Sequence, residues 1–206
     1  MTASSLAGPV ILSGRYVRLE PLSVAHVPAL ADAVRDGELW KLWYTAIPSP
    51  DDMMTETERR LDLQRRGSML PFAVVSMPSG RIVGMTSFMN IDAVTPRAEI
   101  GSTWYARSVQ RTPLNTEAKL LLLGHAFDVL GCLAVELRTH VLNQQSRRAI
   151  ERLGARLDGI LRHHQVMRNG TIRDTCVYSI TAPEWPAVQA LLRGWLDAAD
   201  QVGVAG

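Results

Sequence analysis

Cysteine is scarce in this 206-residue chain: only Cys132 and Cys176 occur, far apart and with neither a CxxC pair nor the Cys/His spacing of a zinc site. That excludes a disulfide framework and gives no reason to expect a metal. Long apolar runs are missing too. No stretch of 18 apolar residues occurs, and Met1 to Val10 lacks the basic start and apolar core of a secretory leader. The expectation is a chain that is neither membrane-spanning nor exported by that route, working in a reducing cytoplasm. An excess of one charge is absent: 22 Lys+Arg stand against 20 Asp+Glu, and the arginines are scattered. No nucleic-acid partner is implied, although a small basic excess suits an anionic ligand. No repeat, low-complexity tract or Pro/Gly/Ser-rich linker divides the chain. With 47% apolar residues it can bury a core, so we expect one domain over residues 1–206, with a core from about 10 to 180 and a terminal helix from about 183 to 200.

The hydrophobic periodicity alternates between two and three-to-four residues along the chain. Residues 13–20 (SGRYVRLE) read as a strand, and Val24, Val27, Leu30 and Val34 then recur at helical spacing behind Ser23. Residues 37–50 hold Trp40, Trp43, Tyr44, Pro48 and Pro50, an irregular segment that either lines a pocket or simply packs. Residues 51–66 read as a charged, exposed helix. Three short strands follow (72–77, 81–90 and 97–105), then a buried helix over 114–130 and a strand over 133–141. Asn143 and Gly154 bracket another helix as cap and stop. A hairpin over 157–168 and 171–180 turns at Asn169-Gly170, a strong hairpin signal. Trp185, Val188, Leu191, Leu192, Trp195 and Leu196 form the apolar face of the last helix, to be covered by the sheet or, in a homodimer, by a second subunit.

The order β-α-α-β-β-β-α-β-α-β-β plus one helix, together with AEIGSTWYARSVQRTPLNTEAKLLLLGHAF and LAVELRTHVLNQQSRRAIERLG between Ala98 and Gly154, resembles the GNAT superfamily of N-acetyltransferases. The local motifs resemble its branch that acetylates the N-termini of ribosomal and other proteins. The resemblance implies an α+β fold: a mixed, mostly antiparallel sheet flanked by helices and split between strands four and five. It also implies an acyltransferase that moves an acetyl group from acetyl-CoA to a primary amine by direct attack, with no metal. The acceptor is a protein N-terminus or a small molecule; no nucleic acid or membrane is involved. The alternative is a non-catalytic acyl-CoA-binding regulatory module.

Physical reasoning and the resemblance meet at three places. A helix opening near Leu114 presents free backbone N–H groups, a ready phosphate site. The superfamily loop there reads Gln/Arg-x-x-Gly-x-Gly/Ala, and here Gln110, Arg111, Thr112, Pro113, Leu114 and Asn115 occupy its places. Pro113 replaces the first Gly and has no N–H to donate, unless it simply opens the helix in its first turn. Arg111 and Thr112 can offset the loss through their side chains. Next, Asn143-x-x-Ser146 is a helix cap on its face value; the resemblance implies that Asn143 touches the pantetheine arm and Ser146 protonates the leaving thiolate. The Tyr used by other members, seven positions after the Asn, is Ile150 here. Third, an ammonium must lose a proton before it attacks. Glu99, in AEIG, is the candidate base, with Asp174 and Glu136 as weaker alternatives, while backbone N–H groups near Ile100 to Ser102 would stabilise the oxyanion. His125 reads as a packed core residue, and His163 and His164, as strand neighbours, point to opposite sides and receive no role.

Overall fold

The computed structural model describes residues 8–204. Eight strands form a single sheet in the order β1-β2-β3-β4-β5-β6-β8-β7. They are β1 (Leu12–Ser13), β2 (Val17–Pro21), β3 (Met69–Ser76), β4 (Arg81–Asp92), β5 (Arg97–Tyr105), β6 (Ala134–His140), β7 (Arg156–Val166) and β8 (Ile172–Thr181). All neighbours are antiparallel except β5 and β6. The two-residue β1 was not expected, so the split foreseen after the fourth strand falls after β5. A sharp corner at Gly14 to Tyr16 separates β1 from β2. Its backbone N–H groups would be stranded there without Glu117, whose carboxylate accepts from Arg15 N at 2.8 Å, Tyr16 N at 2.6 Å and Val17 N at 2.9 Å.

Among the described residues five α-helices cover the sheet: α1 (Val27–Arg35), α2 (Met53–Arg65), α3 (Pro113–Gly124), α4 (Gln144–Arg152) and α5 (Trp185–Val204). Helix α1 is preceded by a 3-10 turn at Val24–His26, and α3 gives way to a π-helical turn at His125–Val129 where an unbroken helix to residue 130 was expected. The widened turn releases Asp128 to accept from Trp185 Nε1 at 2.8 Å, which ties α5 to the end of α3. Trp185 also stacks on Phe127 at 5.5 Å, and Val188 and Leu192 are buried. The chain itself therefore covers much of this face of α5, while Leu191 stays 40% exposed. Asn169-Gly170 turns the β7–β8 hairpin with Gly170 at φ +80°. Among the described residues no helix is long and apolar enough to cross a membrane.

Candidate active site

Pairing between β5 and β6 lasts for three positions, Arg97 with Ala134, Ala98 with Val135 and Glu99 with Glu136, and then stops. Both strands continue, β5 bonded only to β4 and β6 only to β8. The sheet therefore opens as a V from Ile100 onward, its mouth flanked by the N-terminal ends of α3 and α4.

Glu99 stands at the apex of the V and is 7% exposed. Its Oε2 accepts from Asn90 Nδ2 at 2.8 Å and lies 3.4 Å from Arg138 Nε. Arg138 is shared with Glu136 (2.7 Å), which also holds Arg97 (2.6 Å). Burial pushes the Glu99 carboxyl above the ordinary carboxylate range, against the pull of Arg138 and Asn90. These side chains line a cavity of about 240 Å³ with Asp92 and Ala98. A larger hollow of about 640 Å³ lies on the outer side of α2 among Glu58, Arg59, Asp62 and Arg65. It contains no candidate residue, and Arg59 and Arg65 there are engaged by Glu56 and Asp62, so the smaller cavity is the chemically relevant one.

Beyond Glu99 the strand buckles. One residue of β4 separates Met85 from Ser87, whereas two of β5, Ser102 and Thr103, separate Gly101 from Trp104, and Ser102 sits at φ +48°. This bulge turns backbone groups out of the ladder at the segment expected to face a thioester. Ile100 is buried and Ser102 half-buried.

The loop into α3 keeps the expected arrangement at a helix N-terminus, with the side chains dividing their work. Gln110 turns back, its Nε2 donating to Tyr105 O at 2.9 Å. Arg111 is exposed, at φ +62°, and no ion pair holds it among the described residues. Thr112 is the N-cap: its hydroxyl donates to Val109 O at 2.7 Å and accepts from Leu114 N at 3.4 Å. Pro113 occupies the first helical position, where a missing N–H costs nothing to the helix. Leu114 is buried and Asn115 half-buried. At the other side of the V, Asn143 Oδ1 caps α4 by accepting from Ser146 N at 3.0 Å, so the capping role is real, while Ser146 is half-buried in the first turn.

Two residues of this region escaped the sequence reading. Arg60, on the helix expected to be exposed, is 2% exposed and reaches under the bulge. His140, the last residue of β6, is 3% exposed; its Nδ1 accepts from Leu142 N at 3.0 Å, and its buried Nε2 has no partner among the described residues. Burial, then Arg173, push its pKa down, so it is neutral near pH 7 with the proton on Nε2. Trp43, from the aromatic segment, meets the ring edge-on at 5.7 Å. Glu136, Arg138 and His140 alternate along β6 and so share one face with Glu99. Of the weaker base candidates, Glu136 is bound up with two arginines, and Asp174 accepts from His163 N at 2.7 Å. His163 lies in a bulge of β7 at φ +50°, so strict alternation does not hold there. Among the described residues no group of three or more His, Cys, Asp or Glu side chains is placed to hold a metal.

A family profile described as an acetyltransferase (GNAT) domain matches residues 17–156. The chain is 34% identical over 106 residues to "Putative ribosomal N-acetyltransferase YdaF" of Bacillus subtilis (strain 168), an alignment covering 52% of this chain and 57% of that protein. It is 34% identical to a crystal structure of a GCN5-related N-acetyltransferase from Brucella melitensis, which superposes with a TM-score of 0.82 over 92% of this chain and 86% of the other. Mycobacterium smegmatis RimJ in complex with CoA-disulfide shares the fold, with a TM-score of 0.76 and 21% identity over 91% of this chain and 95% of that one.

Proposed function

The chain belongs to the GNAT acetyltransferase family, and from that premise we propose that it transfers an acetyl group from acetyl-CoA to a primary amine, with Glu99 and Ser146 moving the protons. One observation carries the reading: the β5–β6 ladder ends at a buried carboxylate of raised pKa, and the two helix N-termini open beside the gap that follows.

In this reading the Arg111 guanidinium, the Thr112 backbone N–H and the first-turn N–H of Asn115 hold the pyrophosphate of acetyl-CoA, the Leu114 N–H being taken by the Thr112 cap and Gln110 bracing the loop against β5. The Asn143 carboxamide caps α4 through its oxygen and offers its NH₂ to the pantetheine arm. Glu99 takes the ammonium proton through water, and the neutral amine attacks the thioester carbonyl. Backbone N–H groups from Ile100 to Ser102 receive the oxyanion. As the C–S bond breaks, the Ser146 hydroxyl gives its proton to the thiolate and is reprotonated through water by the second proton that the attacking nitrogen sheds as the amide forms. The Bacillus relative, named as a ribosomal N-acetyltransferase, favours a protein amine over a small molecule as acceptor.

The experiment is CoA-thiol release from acetyl-CoA with a panel of peptides bearing free α-amines and of small amines. Glu99→Gln should lower kcat about 100- to 10,000-fold and Ser146→Ala should lower it as well, both with acetyl-CoA affinity nearly intact. Because Glu99 must be ionised to accept a proton, wild-type activity should fall as the pH drops through its raised pKa, and this acid limb should disappear in Glu99→Gln. Acetyl-CoA binding without thiol release for any amine would favour the non-catalytic module instead.

A further inference from the structure

We propose that Arg60 is a positioning residue for acyl transfer, holding the Ser102–Thr103 peptide of β5 in the orientation that the open edge of the split requires. This rests on the acetyl-transfer reading above and deepens it.

Helix α2 carries six ionic side chains between Glu56 and Arg65, and only Arg60 among them is buried. Pairing does not explain the burial, because Glu56 is already held by exposed Arg59 at 2.7 Å, and a buried ion pair is a poor source of stability. The guanidinium is spent in three directions. Its Nε donates to Glu56 Oε1 at 2.7 Å, and its Nη1 donates to Ser87 Oγ at 3.2 Å and to the Ser102 carbonyl at 3.1 Å. Ser87 is the cross-strand partner of Gly101, and Met89 of Glu99, so Arg60 lies on the face of the sheet that carries Glu99.

The Ser102 carbonyl is the one turned out of the ladder by the bulge, on a residue whose left-handed φ of +48° is unfavourable for a serine. A conformation of that kind persists where its surroundings hold it in place. Because the trans peptide is planar, a carbonyl fixed toward Arg60 sends the Thr103 N–H the opposite way and restricts the neighbouring Ser102 N–H. Ser102 lies three residues after the last β5–β6 rung and ends the stretch from Ile100 to Ser102 where the proposed oxyanion donors lie. Arg60 thus reaches the reacting region from the same face of the sheet as Glu99, through Ser87 and the Ser102 carbonyl.

The test uses Arg60→Met and Arg60→Lys in the full chain. Lysine keeps a charge beside Glu56 but lacks the planar fork that bridges Ser87 and Ser102. Amide hydrogen exchange at Ser102 and Thr103 should quicken at least about tenfold in both variants, with β2 and β3 unchanged. Binding of CoA, measured by calorimetry, should stay within about twofold, whereas kcat with acetyl-CoA and the amine used by the wild type should fall about 10- to 100-fold, the loss expected from a small misplacement near the chemistry. Should the Met variant fail to fold, the Lys variant carries the test. Wild-type exchange at Ser102 and Thr103 in a folded variant overturns the proposal, and so does an unchanged kcat alongside faster exchange. The exchange readout needs no turnover, so a wild type that releases no CoA with any amine sinks the transferase reading while the positioning of this peptide is judged separately.

Discussion

Lys119 lies in the middle of α3, 6% exposed, and burial alone pushes its ammonium down to about 8 from an ordinary 10.5. No carboxylate pairs with it among the described residues. A base whose pKa is depressed by folding costs stability whenever the folded state must carry the charge. Below pH 8 both folded and unfolded chains are protonated, and the full cost is present. Between about 8 and 10.5 the unfolded chain holds the proton and the folded chain has released it, so stability rises with pH until the cost is gone. Losing the proton at about 8 in place of 10.5 corresponds to about 3 kcal/mol, at roughly 1.4 kcal/mol for each tenfold change in proton affinity. Lys119→Met keeps the length of the side chain and removes the charge. Urea unfolding should therefore find the variant more stable than the wild type by up to about 3 kcal/mol at pH 7, with the gap closing as pH approaches 10.5. A variant that is no more stable at pH 7, or a gap that does not shrink with pH, would refute the reasoning and mean that Lys119 has a partner in solution.

Two further outcomes can be measured directly. Arg111→Ala should weaken CoA binding by about 1–3 kcal/mol in calorimetry, with the deficit shrinking at high salt as a charge-assisted contact requires; an unchanged affinity removes Arg111 from the site. Glu117→Ala strands three N–H groups at the β1–β2 corner and should cost about 3 kcal/mol in denaturant unfolding, while CoA affinity at saturating protein stability stays at the wild-type value.

Local signals in the sequence predicted local structure well. Asn143 caps α4, Gly154 ends it at φ +94°, Asn169-Gly170 turns the hairpin, and the strands of the meander lie within a few residues of their expected places. Each of these is decided by a handful of adjacent residues. What escaped depends on distant ones. Arg60 reads as one more charge on a polar helix, because its burial is set by Ser87 and Ser102 on another element. The left-handed Ser102 carries no glycine to announce it. His140 looks like any strand histidine until Trp43 closes over it. The π-helical turn is equally silent, since His125 to Val129 holds no proline or glycine pair, and the reason for the extra residue is Trp185, some sixty positions away. At the candidate site, the strand carrying Glu99 and the two helix starts could be read from the sequence, whereas the polar network behind Glu99 could not.

The three-rung ladder between β5 and β6 has a consequence for solubility as well as for chemistry. From Ile100 to Tyr105 the β6-facing side of β5 is a sheet edge, but one enclosed within the molecule and not on its rim. Exposed edges invite pairing with other extended chains. Here the continuing arms of the V flank the free edge on both sides, and a slender extended molecule with amide groups of its own could pair with it. Such a molecule would complete the sheet as a removable strand. By mass action it would also stabilise the whole domain, rising with the logarithm of its concentration, so the abundance of the folded protein in a cell would follow the supply of that molecule.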